Sequence, residues 1–119
     1  MNSPSLPHYS GLSVDSCLDV ISMCNKCIDA ARTLVREAPP EQKSLSIVLF
    51  VKDVETLKRQ LGVLIDNLKT LKEVESQPDF ALEQSYKART AVARVSRIVS
   101  IQCAKVDQLM PKALKQLVD

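Results

Sequence analysis

The stretch Ile47-Val48-Leu49-Phe50-Val51-Lys52-Asp53-Val54-Glu55-Thr56-Leu57-Lys58-Arg59-Gln60-Leu61-Gly62-Val63-Leu64-Ile65-Asp66-Asn67-Leu68-Lys69-Thr70-Leu71 decides the fold class. Ile47, Val54, Leu61 and Leu68 recur every seven residues, and Phe50, Leu57, Leu64 and Leu71 follow three places behind them. A double row of this kind lines one side of an α-helix, whereas a strand would alternate with a period of two. The pattern predicts a helix beginning at Pro40, where proline is tolerated, with Glu41 and Gln42 in its first turn. Some 30 residues at 1.5 Å each make a rod of roughly 45 Å. Glu55 and Arg59 are placed for an i,i+4 ion pair on its exposed side. Gly62 costs such a helix about 1 kcal/mol relative to alanine, which points to a close helix contact at that position.

Upstream, the same rhythm starts after Ser13, a residue suited to cap a helix, with Asp15 in the first turn. Val14, Ile21, Ile28 and Val35 are spaced by seven, and Cys17, Cys24 and Ala31 interleave. Val20, Cys27 and Leu34 widen this stripe, as expected for a helix that touches two neighbours. Pro39-Pro40 ends it, because the residue before a proline is driven out of the helical region. Residues 1–12, with Pro4, Pro7 and Gly11, read as a flexible lead-in, and 13–119 as the folded domain.

Downstream, Ser76-Gln77-Pro78-Asp79 breaks the second helix and starts a third. Ala81, Ala88, Val92, Val95, Val99, Cys103, Val106 and Met110 fall on one side of it. At 100° per residue they span a sector about 80° wide, which is one buried stripe. Pro111 kinks or ends this helix, and Ala113, Leu114, Leu117 and Val118 leave room for a short fourth. The pattern still runs at Asp119, which fits a packed terminal helix or a domain cut from a longer protein. The expected fold is all-α: an antiparallel bundle of three long helices with a short fourth at the C-terminus.

Composition agrees. The 119 residues are 45% hydrophobic and 25% charged, with only 2 Gly, 3% aromatics and no Trp. Long helices joined by few turns suit that balance better than a sheet, which leans on aromatics and glycine-rich turns. The formal net charge of +2 gives no electrostatic case for nucleic acid. No apolar run approaches the roughly 18 residues that span a bilayer. The N-terminus lacks the basic start and apolar core of a secretion signal, so an intracellular, cytoplasmic setting is expected, and no nucleic-acid partner.

Few residues offer chemistry. The only histidine, His8, stands in the lead-in between Pro7 and Tyr9, where nothing orients a catalytic group. There is no glycine-rich phosphate loop, no HExxH and no paired CxxC. The chain is therefore expected not to be an enzyme and to need no cofactor. Cys24-Asn25-Lys26-Cys27 does match CxxC, but it falls mid-helix on the buried side with no strand before it. A zinc site would have to add Cys17 and Cys103. Core packing competes with a metal- or redox-responsive role for these thiols.

One charge asymmetry stands out. Between Gln84 and Val106 the third helix carries Lys87, Arg89, Arg94, Arg97 and Lys105 and no acid. Lys87, Arg94 and Lys105 lie within about 20° of one another on the helical wheel, with Ile98 and Ile101 beside them. Such a face suits an acidic partner helix or an anionic membrane surface. It is equally the pattern of a solvated face whose isoleucines a neighbouring helix covers.

The run Ser13-Val14-Asp15-Ser16-Cys17-Leu18-Asp19-Val20-Ile21, followed by Leu57-Lys58-Arg59-Gln60-Leu61-Gly62-Val63-Leu64, resembles the helical N-terminal domains of fungal NOD-like receptors, the HeLo-like modules. The resemblance implies a signalling or death-fold-like interaction module, in some cases acting on membranes. The glycine-rich membrane-active stretch of some such domains is missing, since only Gly11 and Gly62 are present. The three-helix layout is also similar to the regulatory domain of syntaxin-type SNAREs and to spectrin-like repeats, without the tryptophan of the latter. A non-enzymatic protein-interaction module is the leading expectation, with Lys87, Arg94, Ile98, Ile101 and Lys105 as its surface. Heptad seams this regular also serve homo-oligomers, which share a core between chains.

Overall fold

Three helices account for almost all of the structure, a computed structural model that describes residues 13–37, 45–79, 81–112 and 114–115. They are α1 (Val14–Glu37), α2 (Leu45–Ser76) and α3 (Leu82–Leu109), and no strand occurs among the described residues. The lead-in, the expected start at Pro40, and Ala113, Leu117 and Val118 all lie outside the described residues.

Local chemistry sets the ends. Ser13 caps α1: its Oγ accepts from the Ser16 backbone N–H at 3.2 Å, and its carbonyl accepts from Cys17 at 2.9 Å. Prolines follow the other ends. α1 stops two residues before Pro39, α2 two residues before Pro78, and α3 at Leu109, with Met110 extended (φ −63°, ψ 120°) ahead of Pro111. No described residue takes a positive φ, so glycine-type caps play no part in these terminations. The third helix begins later than its sequence suggests. Ala81 is its extended N-cap and is exposed, not part of the buried stripe. Inside the helices Thr33, Thr56, Thr70 and Thr90 each donate to the carbonyl one turn back, at 2.8–3.0 Å, which satisfies a hydroxyl that otherwise competes with helix.

α2 packs against both α1 and α3. Its double row supplies Phe50, Val54, Leu57, Leu61 and Leu64, each at most 1% exposed. Burying a leucine this completely contributes about 1.5–3 kcal/mol before cavity and entropy costs. α1 meets this row with Cys17, Val20, Cys24, Cys27, Ile28 and Ala31, and α3 with Val99, Cys103 and Val106. The middle of the seam is thus filled within one chain, while Ile47, Leu68 and Leu71 stay partly exposed. At 32 residues α2 is a rod of roughly 48 Å.

Polar contacts fix how α3 lies on α2. Near the start of α2, Asp53 receives Gln102 Nε2 on its carbonyl at 2.9 Å and Lys105 Nζ on its carboxylate at 3.2 Å. Near the end of α2, Glu75 Oε2 accepts from Ser85 Oγ at 3.1 Å and from Arg89 Nε at 3.0 Å, with Arg89 Nη2 adding a second bond. The hydrogen bond from Arg89 holds the Glu75 carboxyl below the usual carboxylate range, against a smaller opposing push from burial. The apolar contact is thinner along the first half of α3, where these bonds lie. Ala88, Val92 and Val95 are only half-buried there, and the fully packed positions are Ser85 and Ser96.

After Pro111 the chain makes a helical turn. Leu114 and Lys115 donate to the Pro111 carbonyl at 3.0 and 3.1 Å, and Leu114 is fully buried.

Two sequence expectations fail. A Cβ built on Gly62 meets nothing within 4 Å, so this glycine marks no close helix contact. Arg59 does not pair with Glu55 but donates to Thr56 Oγ1 at 3.2 Å; an exposed i,i+4 ion pair contributes only about 0.3–0.5 kcal/mol, and a neighbouring hydroxyl outcompetes it.

Open space at Gly62 makes Gly62→Ala stabilising by about 1 kcal/mol, whereas Leu61→Ala should cost about 2–5 kcal/mol. Urea unfolding of the two variants checks both signs. A Gly62→Ala protein less stable than its parent would show that the glycine is packed after all.

Candidate functional site

The α3 face singled out by its charges is exposed. Ile98 is 49% and Ile101 64% accessible, so neither α1 nor α2 covers them. That outcome removes the reading in which the isoleucines are buried behind a solvated basic rim. The basic residues divide into two kinds. Lys87 reaches Glu83 at 3.5 Å, one turn back and just outside the acid-free window, and Lys105 reaches Asp53 across the α2–α3 gap. Arg94 and Arg97 have no ion-pair partner among the described residues. The stripe therefore keeps its positive character at Arg94, beside the two isoleucines.

At its C-terminal end the stripe runs into a hollow of about 390 Å³ between the first turns of α2 and the last turns of α3. Ser46, Leu49, Phe50, Lys52, Asp53, Lys105 and Leu109 line it. Leu49 and Leu109 are half exposed there, so apolar surface continues from Ile98 and Ile101 along the same side. Lys105 stands in both the stripe and the hollow, held by Asp53. Of the five residues expected to form a surface, Lys105 alone lines this hollow; Ile101 stands about one turn before it and Ile98 about two, while Lys87 sits far up the helix.

A second groove had no counterpart in the sequence reading. It lies on the other flank of α2, has a volume of about 600 Å³ and is lined by Ala31, Arg32, Val35 and Arg36 of α1 and Ile47, Val48, Val51, Lys52 and Glu55 of α2. The visible sign was the pair Arg32 and Arg36, one turn apart on either side of Val35.

The four cysteines are free thiols inside the core. Burial pushes all four upward in pKa. Cys24 goes from 9.0 to about 12, chiefly by burial and further through negative charge at Cys27 and Cys103. Cys103 goes to about 11, by burial and by Asp107 and Cys17. Burial thus disfavours the thiolate form at both positions of the CxxC pair. Among the described residues no group of three or more His, Cys, Asp or Glu is arranged to hold a metal ion. No described helix is long and apolar enough to cross a membrane.

Compared with known proteins, the chain matches no family model, no curated protein and no solved structure.

The thiols make stability sensitive to alkaline pH. Their folded-state pKa values lie above the unfolded value, so the stabilisation is full below pH 9 and is lost as pH rises from about 9 towards 12. Urea midpoints should hold steady from pH 7 to about 8.5 and fall beyond it, less steeply in Cys24→Ala. An identical alkaline slope in that variant would remove the thiol from the explanation.

Proposed function

We propose that this chain is a non-enzymatic helical protein-interaction module whose binding face is the α3 stripe of Lys87, Arg94, Ile98, Ile101 and Lys105. The observation that carries this reading is the pair Ile98 and Ile101, half to two-thirds exposed near Arg94, on the helix face that leads through Lys105 to a hollow lined by Leu49, Phe50 and Leu109. Apolar anchors inserted in such a hollow supply affinity, and charges around it supply register. A partner helix with acidic flanks is the complementary shape.

In this reading the three helices close as an antiparallel bundle, supported by the way opposite ends of α2 and α3 meet at Asp53 and Glu75. The turn after Pro111, anchored by Leu114, is the start of the short fourth helix. The protein works in a reducing, cytoplasmic setting, in keeping with four unpaired core thiols. A signalling or assembly role follows the HeLo-like resemblance and rests on helical rhythm alone. Neither nucleic acid nor a cofactor enters. Binding to an anionic membrane and self-association are the competing uses of the same face.

A photo-crosslinking residue placed at position 101 should capture one discrete protein, and the same probe at exposed Asn25 should not. Arg94→Glu should weaken that capture at least about tenfold, or roughly 1.4 kcal/mol, with an unchanged helical circular dichroism spectrum. Capture of a second copy of this chain would turn the module into an oligomerisation domain. Loss of helicity together with capture would sink the surface assignment.

A further inference from the structure

We propose that the groove between α1 and α2 binds a monomeric anionic amphiphile, a medium-chain carboxylate whose chain lies on the apolar floor and whose head meets the arginines. The proposal stands apart from the five residues of the α3 face and shares only Lys52 with the hollow at the end of that face.

The floor is Val35, Ile47, Val48 and Val51, with Val48 half exposed and the other three partly buried. On either side stand cations: Arg32 and Arg36 on α1 and Lys52 on α2, against the single carboxylate of Glu55. None of the three cations has an ion-pair partner among the described residues, and Arg36 makes only a long 3.5 Å bond to Thr33. Among the described residues the groove therefore combines apolar surface with cations that outnumber its carboxylate, which is the complement of an amphiphilic anion. Guanidinium forks favour a planar carboxylate, which they can hold through two parallel bonds.

Size and shape choose among anionic amphiphiles. The volume, about 600 Å³, is that of a small-molecule site. From Ile47 to Glu55 the α2 wall rises only about 12 Å, shorter than the contact a docked helix of several turns would make. The groove is concave, set between two helices. A bilayer surface engages protruding apolar side chains flanked by cations, whereas a concave floor receives a single chain.

Titration calorimetry of the full chain with sodium dodecanoate, kept below its micelle concentration, tests this. One equivalent should bind in the micromolar range. Acetate, a head without a chain, and dodecyltrimethylammonium, a chain of opposite charge, should bind at least about tenfold more weakly. Arg36→Glu and Val48→Asp should each weaken dodecanoate by about tenfold or more with circular dichroism unchanged, while Ile101→Asp leaves it unaltered. Equal binding of the cationic chain, uptake of many equivalents, or indifference to both groove variants overturns the proposal. So does co-sedimentation with phosphatidylglycerol vesicles in the absence of dodecanoate binding, which would make the cations a membrane-facing patch. Loss of the α3 surface in its own tests leaves this site standing, and the reverse also holds.

Discussion

Helix α2 holds the molecule together because it is the one helix that packs extensively on both others. Phe50, Val54, Leu57, Leu61 and Leu64 form a continuous ridge with almost no exposure, and α1 and α3 lie on its two flanks. Most of the stability of a helix in a folded protein comes from tertiary packing of its apolar face rather than from propensity. Five positions of the heptad double row are thus filled within one chain, while Ile47, Leu68 and Leu71 of the same row stay partly exposed.

Where α1 and α3 come near each other, the residues are small and soft. Cys24 responds to charge at Cys103, and Cys103 to charge at Cys17, which places these thiols within electrostatic reach of one another. Cysteine fills such space as a small hydrophobe with a weak polar end. Cys24 and Cys27, one turn apart on one face of α1, are both core positions, which suits the small thiol.

The fold was legible in the sequence because it depends on periods that one helix displays by itself. The ridge of α2, the Ser13 cap and the breaks at Pro39, Pro78 and Pro111 are all local or strictly periodic features. What escaped depends on two helices at once. The α1–α2 groove exists only because Arg32 and Arg36 come to lie across from Lys52, and no single-helix wheel contains that pairing. Gly62 misled for a related reason: its cost is visible in one helix, but whether anything packs on it is decided by the others. Ser85 and Ser96 escaped as core residues because a polar letter hides a buried position. Ser85 is tolerated there through its bond to Glu75. The α3 face was legible in part. Its residues could be named, but the exposure of Ile98 and Ile101 and the pairing of Lys87 with Glu83 could not.

α3 is apolar on two sides although it packs on the ridge with only one. Val99, Cys103 and Val106 already satisfy its contact with the core. Ile98 and Ile101 are surplus to that contact, and β-branched residues are poorer helix formers than the lysine or glutamine that would solubilise the position. Helix propensity therefore does not explain them, and neither does core packing. The two concave features also share a residue. Lys52 lines both the α1–α2 groove and the hollow against α3, because both flank the first turns of α2. A charge drawn to one is felt by the other through the same ammonium, so the two sites are structurally distinct but not electrically independent. The start of α2 is thus both the edge of the ridge that holds the bundle and the point where its unfilled surfaces converge.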